Sequence, residues 1–431
     1  MTPAARISAA IDVLATIETD RRPAGDALRD WGRANRFAGA RDRAAIASLV
    51  YDALRKRASS AFFMGADTPR ARMLGALRQT RGLADAEIAA LFSGERHAPA
   101  PLTEDERGAL ANADLSAAPA HVAGDFPEWL APHFARAFGA DAVGETQALA
   151  ARAPVDLRVN ALKATREKAL AALAHLHPAP TPHAPLGLRI AIGEDGRGPA
   201  LAAEPAYVKG LVEIQDEGSQ LVARLACARP GEQVLDLCAG GGGKTLAMAA
   251  DMDNRGQIYA TDADGRRLMP IYDRLERAGV RNAQVRAPKG AQDVLADLAA
   301  RCDLVLVDAP CTGVGAWRRN PDAKWRMRPG ALEQRIKDQD ETLARAAGCV
   351  KPGGRIVYIT CSLLCEENED RVRAFLAGRE DFAPADMRDV ARAAGLENLP
   401  ARDGENGLGL LLTPARTGTD GFYVCTLKRA G

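Results

Sequence analysis

Apolar residues recur at three- and four-residue steps through the first part of the chain. Ile46, Leu49, Val50, Ala53 and Leu54 mark one face, which predicts an amphipathic helix within an Ala-, Leu- and Arg-rich helical stretch over 4–95. Pro and Ala enrichment over 97–101 and 117–132 interrupts the spacing, and a short helix over 128–138 follows. Strand candidates at 156–160 and 186–192 then bracket a helical stretch at 166–175 and a Pro/His-rich loop at 177–185, the pattern of a small α/β module. Further on, short apolar runs at 233–237, 257–261, 283–287, 303–307 and 355–359 alternate with helical spacing at 221–229, 245–252, 266–278, 332–350 and 366–377. Such alternation implies βαβ units and a mostly parallel sheet. Two last strands, 409–413 and 421–427, read as an antiparallel hairpin that completes seven strands. The expected fold class is therefore an α/β, Rossmann-like domain over 206–431, preceded by an all-α domain over 1–137 and a small α/β linking module over 138–205.

Composition narrows the setting. Hydrophobic residues make up 47% of the 431, yet no apolar run approaches the roughly 20 residues that span a bilayer. The first residues lack the apolar region of a signal peptide. Eight cysteines form no C-x-x-C pair and no Cys/His ligand cluster, so neither disulfides nor a metal is expected. These features predict a soluble, cytoplasmic protein with no membrane partner. Net charge is only +1, but its distribution is uneven. Residues 29–57 carry eight basic side chains, Arg36, Arg41 and Arg43 among them, against three acidic ones. Residues 316–337 carry seven, including Arg318, Arg319 and Lys324, against two. Concentrated positive charge can track a phosphate backbone, and the plain alternative is a solvated helix face.

The first strand of the α/β part ends in Asp236-Leu-Cys238-Ala239-Gly240-Gly241-Gly242-Gly243-Lys244-Thr245. Ligands of open α/β sheets sit outside the carboxyl ends of strands, where glycines admit close approach and a helix N-terminus favours an anion. The Walker A pattern fails because Cys238 stands where its first glycine belongs. The dinucleotide pattern fails because Thr245 occupies its last glycine. S-adenosylmethionine fits better: Asp236 can accept from the methionine ammonium, and Asp262, ending the second strand, can bind the ribose diol. The competing role for Asp262 is a helix cap, which Asp264 suits better.

Two later strands end in Asp308-Ala-Pro-Cys311 and Thr360-Cys361-Ser362. In this topology the first, fourth and fifth strands are neighbours, which puts both thiols on the cofactor's side, roughly 5–10 Å apart, with room for a planar base between them. Free cysteine is often simple core, which is the expectation for Cys227, Cys302, Cys349 and Cys425. A strand-end pair beside a methyl donor suits carbon 5 of cytosine, a poor nucleophile until a thiolate adds to carbon 6. Asp308, held protonated in a desolvated site, can donate to ring nitrogen 3. The chemistry alone leaves open which cysteine attacks.

These residues resemble the RNA 5-methylcytosine methyltransferases of the Sun/NOP2/RsmB type. The likeness rests on Asp236 to Thr245, Asp308-Ala-Pro-Cys311-Thr-Gly-Val-Gly, Arg318-Arg319-Asn-Pro-Asp322-Ala-Lys324-Trp325, Tyr358-Ile-Thr-Cys361-Ser, Glu366-Glu-Asn-Glu and Asp420-Gly-Phe-Tyr. Upstream, Asp156-Leu-Arg158-Val-Asn160 and Val212 to Gln220 are similar to family elements, and the Arg36 to Arg55 run resembles the NusB-like RNA-binding domain of bacterial members. The resemblance implies Cys361 as nucleophile, Cys311 as the residue aiding product release, Lys244 and Asp308 as active-site groups, and Asp262 as a cofactor ligand. It departs in two places. Gly240-Gly241 replaces Ala-Pro, and Ala287-Pro288-Lys289 stands where an acidic adenine ligand is usual, leaving Asp293 as a distant substitute. The expectation is an S-adenosylmethionine-dependent cytosine-5 methyltransferase of ribosomal RNA, acting as a monomer. Arg36, Arg41, Arg43, Arg158, Asn160, Arg318, Arg319 and Lys324 are the expected RNA contacts. Trp317 and Trp325 are candidates for base stacking, against the commoner role of packing. The rivals are a tRNA cytosine-5 methyltransferase and a non-catalytic RNA-binding assembly factor.

Overall fold

The computed structural model describes residues 1–193, 198–290 and 292–431, and they divide into two compact units. Residues 1–152 form the first, joined by 317–327. It is all-helical. Thr2 and Thr68 cap helices Pro3–Asp20 and Pro69–Arg81, each with proline in the first turn, where a missing amide is harmless. The expected apolar face is present: Ile46, Val50, Ala53 and Leu54 of helix Ala40–Arg55 pack with Ile7, Val13, Leu14, Met73 and Leu74 in one core, and Leu49 lies against its edge. The unit runs past 137, because helices Ala131–Phe138 and Ala142–Ala150 contact one another and Phe134 meets Phe126 at a ring separation of 4.8 Å.

The segment 317–327 is held in this helical unit by its side chains. Trp317 packs edge-on to Phe134 at 6.0 Å. Asp322 Oδ2 accepts from the Ala24 amide at 3.1 Å, at the start of helix Ala24–Ala34. Trp325 Nε1 donates to the Leu54 carbonyl at 2.6 Å, and Lys324 Nζ donates to the carbonyls of Arg55 at 3.0 Å and Asp125 at 2.5 Å. Arg55 Nη2 donates to the Arg318 carbonyl at 2.8 Å. Lys324 is 2% exposed and Arg318 4%, so the expectation that they grip RNA is corrected: both are interior groups of the helical unit. The tryptophans serve packing.

The second unit holds two sheets. The smaller has strands β1 (Val155–Val159), β2 (Ala179–Pro180), β3 (Gly187–Ile190) and β4 (Val212–Ile214), all antiparallel in the order β2-β3-β1-β4. The larger has β5 (Gln233–Asp236), β6 (Gln257–Ala260), β7 (Ala283–Val285), β8 (Cys302–Asp308), β9 (Val350–Thr360), β10 (Phe382–Pro384), β11 (Arg402–Asp403), β12 (Leu410–Leu412) and β13 (Phe422–Arg429). Its order is β11-β12-β13-β9-β8-β5-β6-β7, with β10 on β13. Strands β5 to β9 are parallel and β13 runs antiparallel to β9, which is the Rossmann-like sheet closed by a hairpin. The seven expected strands are present, and β10 and β11 extend the sheet. The helix expected over 266–278 is two helices, Gly265–Leu268 and Ile271–Ala278, broken where Pro270 lacks an amide. No described helix is long and apolar enough to cross a membrane.

Burial pulls the Lys324 ammonium down to about 7, below the roughly 10.4 of an unfolded lysine. Between those values the unfolded chain binds more protons at this lysine, so its contribution to folding stability rises with pH from about 7 upward, by at most about 1.4 kcal/mol per pH unit. Thermal unfolding at pH 7, 8 and 9 should show the stability of the wild type relative to Lys324→Met rising with pH.

Candidate active site

The strand order reverses between β5 and β8, and the chemistry-bearing residues gather at the carboxyl ends of β5, β6, β8 and β9. Asp236, the last residue of β5, is fully buried. Its Oδ2 accepts from Thr245 Oγ1 at 2.6 Å, while Oδ1 has no hydrogen-bond partner. Burial pushes this carboxyl up to about 7, opposed by the Thr245 hydroxyl. An unpaired buried acceptor costs about 1–3 kcal/mol, so a cationic ligand there is favoured.

The glycine loop is shaped by its neighbours. Gly240 (φ 49°) and Gly242 (φ 83°) are left-handed, and a Cβ on Gly242 would lie 2.5 Å from Ile271 Cγ1. The Gly240 amide donates to Asp262 Oδ2 at 2.9 Å, and Arg274 Nη1 donates to the Gly241 carbonyl at 2.6 Å. Asp262 is 4% exposed and also accepts from the Asp264 amide at 2.9 Å. Asp264 caps helix Gly265–Leu268, which leaves Asp262 to hold the loop. Burial pushes the Cys238 thiol up, so it is a neutral group beside Ala239. Gly243 and Lys244 open helix Gly243–Asp251. Lys244 Nζ donates to Asp308 Oδ2 at 2.6 Å and lies 5.3 Å from the Phe422 ring.

Cys311 and Cys361 face one another with their sulfurs 3.3 Å apart. That is closer than the expected 5–10 Å, because β8 and β9 pair Asp308 with Ile359 and so end side by side. The hydrogen bond with Cys361, then burial, holds the Cys311 thiol well above the usual thiol range. The Gly315 amide donates to the Cys361 carbonyl at 2.9 Å, and Gly315 itself abuts Gly421, whose amide donates to its carbonyl at 2.9 Å.

Other predicted residues land elsewhere. Asp293 is exposed, pairs with Arg345 at 2.9 Å and accepts from the Leu295 amide at 3.1 Å; its bonds serve a turn, so the adenine assignment is corrected. Arg158 is 5% exposed and donates to Gln215 Oε1 at 2.7 Å, its guanidinium drawn down to about 10 by burial. Asn160, 2% exposed, donates to the carbonyls of Gly210 at 2.9 Å and Ala278 at 2.8 Å, tying the small sheet to the larger layer. Neither side chain presents a surface to RNA. Arg319 is half-buried, whereas Arg36, Arg41 and Arg43 are exposed on the helical unit. Sequence reasoning missed the roles of Glu367, Asn368, Gln339 and Arg274. The signal for the first two was the Glu-Asn pair close after the strand-end Cys361, two polar residues where an apolar helical face would start.

Comparison with known proteins agrees with this architecture. Residues 224–428 match the family described as 16S rRNA methyltransferase RsmB/F, and 126–193 match the ferredoxin-like domain of RsmF/B-like methyltransferases. The probable ribosomal RNA small subunit methyltransferase B of Synechocystis is 33% identical over 311 residues, 71% of this chain and 67% of that protein. Ribosomal RNA small subunit methyltransferase B of Klebsiella pneumoniae is 35% identical over 65% of this chain and 64% of its own length, so the chain spans about two thirds of these relatives. The crystal structure of PH0851 superposes with a TM-score of 0.74 over 100% of this chain and 99% of that one, at 24% identity, and so shares the fold. With a mixed, mostly parallel sheet carrying the matched family's elements on its strand ends, the chain belongs to the RsmB/F family of ribosomal RNA methyltransferases.

Proposed function

We propose that the chain transfers a methyl group from S-adenosylmethionine to carbon 5 of a cytosine in small-subunit ribosomal RNA, through a transient bond between Cys361 and the base. The observation that carries this is the pair of thiols just past the ends of β8 and β9, with Asp308, the last residue of β8, paired to Lys244 in the first turn of helix Gly243–Asp251. The relatives' activity on ribosomal RNA favours that substrate over tRNA.

The residues suit the cofactor. The unpartnered Asp236 Oδ1 would take its ammonium, Asp262 its ribose, and the turn from Cys238 through Ala239, Gly240, Gly241 and Gly242 to Gly243 would lie against it. When bound, it supplies the electrophilic methyl group.

The protein's own groups perform the rest. The Cys311 thiol, held well above the usual thiol range by its hydrogen bond with Cys361 and by burial, stays at 3.3 Å from the attacking sulfur. Cys361 adds to carbon 6, which makes carbon 5 nucleophilic. Charge then builds along the ring edge, where the Lys244–Asp308 pair can deliver a proton to nitrogen 3. After methylation a base takes the carbon 5 proton, the carbon 5–carbon 6 double bond re-forms and the bond to Cys361 breaks, with Cys311 assisting release. The target base must leave its stack, which is easiest in single-stranded or partly folded RNA. We assign the backbone grip to Arg36, Arg41 and Arg43, which face solvent, with Arg319 as a further contact. We further propose that the chain works as a monomer in the cytoplasm, where a ribosomal RNA substrate is met. The intact thiol pair argues against an assembly factor without catalysis.

Methyl transfer from labelled S-adenosylmethionine into RNA of a deletion strain tests this. Cys361→Ala should transfer nothing, and Cys311→Ala should trap a protein–RNA adduct that survives denaturation. Normal transfer by Cys361→Ala would remove it as nucleophile. Because ammonium binding needs an ionised Asp236, cofactor affinity measured by calorimetry should fall about eightfold between pH 7.5 and pH 6, as the carboxyl titrates near 7. Asp236→Asn should bind roughly 10- to 100-fold more weakly and lose that dependence.

A further inference from the structure

Between β9 and helix Glu369–Ala377 lie two consecutive buried polar residues, Glu367 and Asn368. A helix is expected to begin at 366, but it begins at 369, and Asn368 sits at φ −112°, ψ −101°, outside the helical basin. Both side chains are spent on the loops that carry the thiols. Glu367 Oε1 accepts from the Thr312 amide at 2.8 Å and from Gln339 Nε2 at 3.0 Å, and Oε2 accepts from the Thr312 hydroxyl. Gln339, fully buried on helix Pro329–Cys349, also donates to the Pro310 carbonyl at 3.0 Å. The residues on either side of Cys311 are thus fixed by one connected network. Asn368 does the same for the other thiol: its Nδ2 donates to the Ser362 carbonyl at 3.0 Å and its Oδ1 accepts from Thr360 Oγ1 at 2.5 Å. The Glu367 backbone is itself anchored, since the Tyr358 hydroxyl donates to its carbonyl at 2.6 Å.

We infer that Glu367 is a positioning residue that, through Thr312, sets Cys311 against Cys361 for the release step. This rests on the cytosine-5 reading for its kinetic consequence but not for its geometry. Burial raises the Glu367 carboxyl, opposed by hydrogen bonds from the side chains of Ser362, Thr312 and Gln339 and from the Thr312 amide. Without the Thr312 and Gln339 bonds the Cys311 loop loses its anchor on one side, while Asn368 still holds the Cys361 loop at Thr360 and Ser362. Attack would continue, whereas elimination would slow: the carbon 5–hydrogen electron pair re-forms the ring double bond only if the carbon 6–sulfur bond can break and return its pair to Cys361.

The test uses the full-length protein, Glu367→Gln and Thr312→Val, with cofactor affinity and thermal unfolding as checks on integrity. Glutamine places an amide N–H where Thr312 or Gln339 already donates, and valine removes only the hydroxyl bond. The expected result is turnover reduced about tenfold or more, an unchanged KM for cofactor, and accumulation of a denaturation-resistant protein–RNA adduct as in Cys311→Ala. Turnover at the wild-type rate, or slower turnover with no adduct, would overturn the assignment. If Glu367→Gln does not fold, Thr312→Val decides by the same readout. If wild type methylates no RNA, the reading of the reaction fails by itself, and maleimide labelling of the free protein then judges the positioning. Faster labelling of Cys311 in the variants, with Cys361 unchanged, supports it; wild-type rates at both thiols overturn it.

Discussion

The parallel pairing of β8 with β9 is the constraint on which the rest of the active site depends. Leu304 to Val307 and Ile356 to Ile359 are fully buried, and their register aligns Asp308 with Ile359. A strand buried on both faces stops where its side chains must become polar, so both strands release their chains at the same edge of the sheet. Cys311 and Cys361 follow from that stop. On the other flank of β8, β5 pairs Asp236 with Leu306, and the Leu237 amide donates to the Leu306 carbonyl at 3.0 Å. The glycine loop therefore emerges beside the thiol loops without any residue having to reach across the fold.

Much of this was legible in the sequence, because it depends on local period and strand ends. The apolar runs located the seven main strands, and the residues just past them located Asp236, Lys244, Asp308, Cys311 and Cys361. What could not be read were bonds set by distant chain. Gln339 reaches the Pro310 carbonyl from 29 residues away, and no periodicity announces that. The charge of Asp293 makes it a distant substitute for an acidic adenine ligand, but charge does not say which way a side chain turns, and its partner is Arg345. β11 has two residues, too few for an alternation to register.

The basic residues divide along the same line. A run of cations has one appearance in sequence whether it meets solvent or caps a helix. Arg36, Arg41 and Arg43 are exposed. Arg158 and Asn160 are buried because β1 lies inside its sheet, between β3 and β4, and their polar atoms satisfy neighbouring chain. Lys324 replaces water at two carbonyls, and the cost of its burial is visible in the depressed ammonium.

The segment around Lys324 shows why the same residues that suggest RNA contact serve the fold instead. Asp322 accepts from the first amide of helix Ala24–Ala34, and Lys324 donates to the last carbonyl of helix Ala40–Arg55. Each charge has the sign that the helix end prefers, anion at the amino terminus and cation at the carboxyl terminus. Two residues apart, they satisfy opposite ends of two helices, and Trp325 bonds the carbonyl beside the second. Reversing the two charges would put like against like at both ends. The pattern Asp-Ala-Lys-Trp is therefore dictated by the helical unit that receives it, although the chain enters that unit at Trp317, only six residues after Cys311. Its charge count says nothing about nucleic acid; its order of charges says which helix ends it was built to meet.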